Sequence, residues 1–112
     1  MRCVAHAYGW RVAITIKRSD KAGRYEALVD GKLAGFAAFE ESGRLTVLTH
    51  TEVDPAYEGQ GVGSALAKGV HDDLRARGAT VVPLCPFMKS WIQRHPDYQD
   101  IVFKSSTREL LD

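Results

Sequence analysis

Apolar residues along this chain recur at two spacings, and the change from one to the other falls near residue 54. Before it the period is two. Val12, Ile14 and Ile16 alternate within Arg11–Lys17 and predict a strand. Tyr25–Val29 and Lys32–Phe39 are two further runs, separated only by Asp30-Gly31. An Asp-Gly pair between apolar runs predicts a hairpin, because a type I′ turn needs positive φ at both central residues. Gly35, inside the second run, predicts a bulge or a close backbone approach. Glu41-Ser42-Gly43 forms the next turn, leading into Arg44–Val53. Strict alternation there sets Leu45, Val47, Thr49 and Thr51 on one face and Thr46, Leu48, His50 and Glu52 on the other. Asp54-Pro55 ends the strand, since proline has no N–H for the ladder.

Beyond residue 54 the pattern turns helical. Val62, Leu66, Val70 and Leu74 share one face of a helix running to Arg77-Gly78, with Gly78 as its C-terminal stop. Ala79–Leu84 is a short apolar strand, Phe87–Arg94 a second helix halted before His95-Pro96, and Ile101–Lys104 a candidate last strand. Met1–Trp10 shows no period. The order predicts an α+β fold, an antiparallel meander continued by a strand-helix-strand unit. At 112 residues the chain suits a single domain over 1–112, with a core of roughly residues 20–104.

Composition narrows the function. Fifteen basic and fourteen acidic residues leave a net charge of +1, no field to draw in nucleic acid or a membrane surface. Cys3 and Cys85 lie far apart, and with four scattered histidines they give neither a disulfide framework nor a metal-ligand spacing. Residues 1–14 are broken by Arg2, His6, Gly9 and Arg11, so no signal peptide is expected there. With no apolar run of membrane-spanning length, the expectation is a cytoplasmic protein.

The chemistry concentrates in Glu58-Gly59-Gln60-Gly61-Val62-Gly63-Ser64. Glycines at alternate positions let the backbone turn sharply and leave no Cβ between the amides and a ligand. The helix that follows offers free N–H groups and the positive end of its dipole, a setting for phosphate. No Gly-Lys-Ser/Thr follows, which excludes a P-loop. Ser64 stands where a dinucleotide fingerprint needs its third glycine, and the loop follows a meander instead of an early parallel unit.

These residues carry a resemblance. The loop is similar to the Gln/Arg-x-x-Gly-x-Gly/Ala motif of the GNAT superfamily of N-acetyltransferases. Residues from about Tyr25 to Phe103 resemble its short, single-domain YjdJ-type branch. The matches are His50–Val53, Gly59–Leu66, and Pro83–Phe87 with Arg94–Tyr98. The resemblance implies acetyl-CoA as co-substrate, held in an opening between splayed parallel strands, those ending at Val53 and Leu84. It implies that backbone groups around Glu52 and Val53 pair with the pantetheine arm and that amides of Gly59, Gln60, Gly61, Val62, Gly63 and Ser64 hold the pyrophosphate. Glu58 departs from the motif, placing a carboxylate where the family carries Gln or Arg.

Acetyl transfer to an amine needs a proton acceptor and a donor for the carbonyl oxygen. His50 and Glu52 alternate onto one strand face, as base candidates or as a structural histidine beside a solvated carboxylate. Cys85 precedes a helix N-terminus, where thiolates are favoured. It is either a packed core residue or, as the resemblance implies, a nucleophile facing the thioester and carrying an acetyl group between substrates. Tyr98 reads as an anchor for its turn ahead of a general acid. Trp91, Phe87 and Ile92 read as core, and Lys68, Arg75 and Arg77 as a solvated face from which one or two could reach the 3′-phosphate of CoA. Two functions follow: an acetyl-CoA-dependent N-acetyltransferase acting on a primary amine of a small molecule or protein lysine, or a non-catalytic acyl-CoA-binding module. No metal, nucleic acid or membrane partner is expected, and the assembly is a monomer or weak homodimer.

Overall fold

A computed structural model describes residues 13–104. Five strands form one sheet in the order of the chain: β1 (Ile14–Ser19), β2 (Arg24–Val29), β3 (Lys32–Ser42), β4 (Leu45–Val53) and β5 (Thr80–Pro83). The first four are antiparallel neighbours, and β5 runs parallel to β4. Helix α1 (Val62–Ala76) makes the crossover, and α2 (Pro86–Gln93) follows β5. The α+β meander with an appended strand-helix-strand unit is the architecture the hydrophobic pattern predicts. Asp30 and Gly31 both take positive φ, 52° and 81°, as the hairpin requires. Met1–Trp10 and the last eight residues lie outside the described region.

Packing falls on one face of the sheet. Tyr25, Ala27 and Val29 of β2, Ala37 and Phe39 of β3, Leu48 of β4 and Val81 of β5 are buried with Val62, Leu66, Ala67, Val70 and Leu74 of α1. Small residues bring the layers close. A Cβ added at Gly69 of α1 would lie 2.7 Å from Cγ1 of Ile16 on β1. The Arg18 guanidinium covers the Phe39 ring at 4.4 Å and donates to the Tyr25 hydroxyl (2.8 Å), which donates to Asp73 of α1 (2.6 Å). Burial and the neighbouring carboxylate push the Tyr25 phenol up to about 12.

Two irregularities shape the sheet. Between Ala27 and Leu28 the β2–β3 register shifts, leaving Ala34 unpaired. The expected close approach at Gly35 is there: a Cβ on it would stand 2.7 Å from the Glu52 carbonyl oxygen. Between Ala38 and Phe39 the β3–β4 register shifts again, and Thr49 becomes the extra residue of β4. This corrects the strict alternation read from the sequence. A bulge exchanges the faces of everything beyond it. Thr51 and Val53 therefore join Thr46 and Leu48 on the helix side, and His50 and Glu52 point outward. A second correction concerns Ile101–Lys104: Pro96–Ile101 is a 3₁₀ turn, and only Val102 bridges β5, at Val81.

An aromatic stack joins α1 to α2. His71 is fully buried and lies parallel to Trp91 at 5.1 Å, and Trp91 stacks on His95 at 4.0 Å. Nδ1–H of His71 donates to the Ala67 carbonyl (2.7 Å), so the neutral ring leaves Nε2 bare, and that atom has no hydrogen-bond partner among the described residues. Desolvation lowers the His71 pKa from its ordinary 6.5, outweighing the Ala67 bond and the Asp72 charge. Below that ordinary value the unfolded chain takes up a proton that the folded chain refuses, so stability falls with pH. The denaturation midpoint should drop between neutral pH and the lowered folded pKa. A His71→Leu variant should show a flatter profile over that window; equal slopes in parent and variant would contradict this.

Candidate functional site

Pairing between β4 and β5 runs only from Leu45↔Thr80 to Leu48↔Pro83. It ends on one carbonyl: the N–H groups of Leu84 and Cys85 both donate to the Leu48 oxygen, each at 3.0 Å. From there the chain leaves the sheet, and Pro86 starts α2. Among the described residues β4 continues through Thr49–Val53 with no strand paired on that side, which opens a wedge between the strands. Inside the wedge the Cys85 thiol donates to the Thr51 hydroxyl across the gap (3.2 Å).

At the open end stands the glycine loop. Asp54 caps the 3₁₀ turn Pro55–Tyr57 by accepting from the Ala56 N–H (2.9 Å), the local reason the strand stops where it does. Gly59 and Gly61 hold φ of 82° and 81°, a conformation costly to residues with a Cβ. Gly61 is the N-cap of α1, and the first helical bond runs from Ala65 N–H to its carbonyl (3.0 Å). The N–H groups of Val62, Gly63 and Ser64 therefore lack helical partners. Among the described residues a Cβ on Gly59 or Gly61 would meet nothing within 4 Å. Loop and helix end fit a diphosphate, with free donors, positive dipole and room for the anion. Glu58 is exposed at the rim.

Val53, Gly63 and Phe87 meet at this mouth. A Cβ on Gly63 would lie 3.1 Å from Phe87 Cζ and 3.6 Å from Val53 Cγ2. Phe87 is 38% exposed, unlike its buried helix neighbours Trp91 and Ile92, so it is a lip of the wedge where the sequence suggested core.

The three catalytic candidates divide between the two faces. On the outward face, His50 Nε2 and Glu52 Oε2 are 2.9 Å apart and well exposed, with the Phe36 ring 6.0 Å from the imidazole. Cys85 is buried on the helix side, and its partner is a hydroxyl, neither imidazole nor carboxylate. Sequence reasoning missed Thr51, whose place in the wedge depends on the bulge. Tyr98 is buried away from the loop, donating to Asp72 (2.6 Å), and that bond, with burial, raises its pKa. It anchors its turn to α1. Lys68, Arg75 and Arg77 are bound to Asp72, Asp100 and Asp73. Among the described residues no cluster of three His, Cys, Asp or Glu side chains could hold a metal, and no helix is long and apolar enough to cross a membrane.

A family model for GCN5-related N-acetyl-transferase matches residues 24–101, from the start of β2 to the last 3₁₀ turn. The chain belongs to the GCN5-related N-acetyltransferase family. Among solved structures, the GCN5-like protein from Staphylococcus aureus aligns with a TM-score of 0.62 at 22% identity, over 80% of this chain and 87% of that one. The ribosomal-protein-S18-alanine N-acetyltransferase from Escherichia coli aligns at 28% identity and a TM-score of 0.52 over 59% of this chain. This chain spans 43% of that structure's length. The ribosomal-protein-alanine N-acetyltransferase from Brucella melitensis gives 24% identity and 0.51, over 73% of this chain and 62% of that one. No curated protein matches the sequence. Acetyl-CoA is the co-substrate of the family.

Because no described residue comes within 4 Å of the Gly61 Cβ position, Gly61→Ala should act through backbone strain. It should destabilise the free protein by roughly 1–2 kcal/mol. Chemical denaturation measures this, and an unchanged midpoint would show that the loop has another accessible conformation.

Proposed function

We propose that this chain is an acetyl-CoA-dependent N-acetyltransferase acting on a primary amine. The observation that carries the reading is the wedge between β4 and β5 with free helix N–H groups at its mouth. In this reading the amides of Gly59 through Ser64 hold the pyrophosphate, and Glu58 weakens the grip without removing a backbone donor. The unpaired edge of β4 at Glu52 and Val53 supplies backbone groups to the pantetheine arm, as a missing strand would.

Transfer forms a C–N bond, breaks the thioester C–S bond, takes one proton from nitrogen and returns one to the leaving thiolate. The paired His50 and Glu52 side chains are the groups on the outward face able to receive the amine proton, which favours direct attack. Cys85 at the α2 N-terminus, inside the wedge, favours a second route in which its sulfur first accepts the acetyl group. In that route an external base or water must take the thiol proton, since Thr51 only shares it.

Calorimetry should register CoA binding to the parent, and Gly61→Glu should weaken it at least about tenfold by placing strain and a carboxylate in the cradle. No heat with the parent, or equal affinity in the variant, would overturn the proposal. With a turned-over amine, Glu52→Gln should lower kcat on the order of 10²–10⁴-fold with little change in acetyl-CoA affinity. Intact-mass measurement after incubation with acetyl-CoA separates the routes. An added acetyl group that disappears in Cys85→Ala marks the relay, and an unmodified protein that still turns over marks direct attack.

A further inference from the structure

Negative charge collects on the thioester carbonyl oxygen when a nucleophile adds, so transfer needs a hydrogen-bond donor aimed there. His50 and Glu52 are turned outward and to each other, and the Cys85 thiol gives its hydrogen to Thr51. Two hydroxyls remain on the stretch of β4 that β5 leaves unpaired, those of Thr49 and Thr51. Thr49 donates to the Ala38 carbonyl (3.3 Å). Thr51 differs. Its ladder partner is Ala37, fully buried on the helix side, so the Thr51 side chain stands on the inner face of the wedge. A hydroxyl has one hydrogen and two lone pairs. One lone pair takes the Cys85 thiol hydrogen (3.2 Å), and the hydroxyl hydrogen has no acceptor among the described residues. The contact with sulfur fixes the oxygen and leaves that hydrogen free to turn toward the gap. Thr51 is half-buried, where a hydrogen bond is stronger than in open water.

We infer that the Thr51 side-chain hydroxyl is the donor to the thioester carbonyl oxygen, and so a catalytic residue of the transfer. The inference rests on the acetyltransferase reading and assigns the donor that its chemistry requires. As the nucleophile adds to the thioester carbon, the carbonyl π pair moves onto oxygen, and the hydroxyl donates a hydrogen bond to it. No proton changes hands at Thr51. The pair returns to re-form the carbonyl as the C–S bond breaks and the thiolate leaves with its electrons. Direct attack and a Cys85 relay both pass through this oxyanion, so the donor serves either route. The strand then presents the oxygen to Thr51 on its inner side and the carbon to an amine arriving beside His50 and Glu52. The bulge at Thr49 is what makes this possible, because unbroken alternation would turn Thr51 to the other face.

Isotope-edited infrared spectra of acetyl-CoA labelled with ¹³C at the carbonyl test this, since a hydrogen bond to the oxygen lowers the C=O stretching frequency. The full chain carries Cys85→Ala for this measurement, which removes the thiol both as an acetyl acceptor and as a rival donor. The band of the bound thioester should lie below that of free acetyl-CoA. Adding Thr51→Val, a change of nearly the same shape, should return the band to the free position, and Thr51→Ser should keep it lowered. With Cys85 in place and a turned-over amine, Thr51→Val should lower kcat about 10²–10³-fold while KM for acetyl-CoA changes little. Thr51→Ser should recover most of that loss. A band at one position in the threonine and valine proteins, or equal kcat in both, would overturn the inference. If calorimetry still shows CoA binding to these proteins, only the donor assignment has failed. If neither they nor the parent bind CoA, the acetyltransferase reading has failed too.

Discussion

The site depends on one acceptor atom, the Leu48 carbonyl oxygen. It takes two donors from consecutive residues, Leu84 and Cys85, at the end of the neighbouring strand, and a strand cannot stay in register when two of its N–H groups point at one oxygen. Pairing stops there, Pro86 turns the chain into α2, and β4 runs on alone. The bulge at Thr49 comes immediately after on the other side of β4. The bifurcated contact opens the gap, and the extra residue decides which side chains face it. The two act on adjacent residues of one strand, so the width of the wedge and the identity of its lining are set together.

The division of the polar side chains follows. Thr51 turns inward to Cys85, and His50 and Glu52 turn outward to solvent and to each other. The strand is thus a partition with a sulfur–hydroxyl contact on one side and an imidazole–carboxylate pair on the other. In the proposed reading, a thioester lying along its free edge has both sets of side chains beside it, on a domain whose core is a single helix layer on one sheet face.

Much of this was legible in the residues. Asp30-Gly31 and Asp54-Pro55 act through local backbone geometry, so they marked the hairpin and the strand end without tertiary help. The glycine loop was legible because positive φ at Gly59 and Gly61 has few other solutions. The bulge was not, because threonine is as good a ladder residue as a bulged one, and the alternation reads smoothly through Thr49. Phe87 looked like core because helical spacing cannot say which helix end stands at an opening. Ile101–Lys104 looked like a strand because four apolar-rich residues fit a 3₁₀ end as well; tertiary contact of Ile101 with the core decided it.

The near contact of α1 with β1 constrains sequence variation in this lineage. The space that a side chain at position 69 would need is already filled by three carbon atoms of Ile16, at 2.7–2.9 Å from where its first carbon would sit. Neither position can enlarge alone. A descendant carrying alanine or serine at 69 would need a smaller residue at 16, so the two sites should drift as a reciprocal pair, exchanging volume across the layer although 53 positions separate them in the chain.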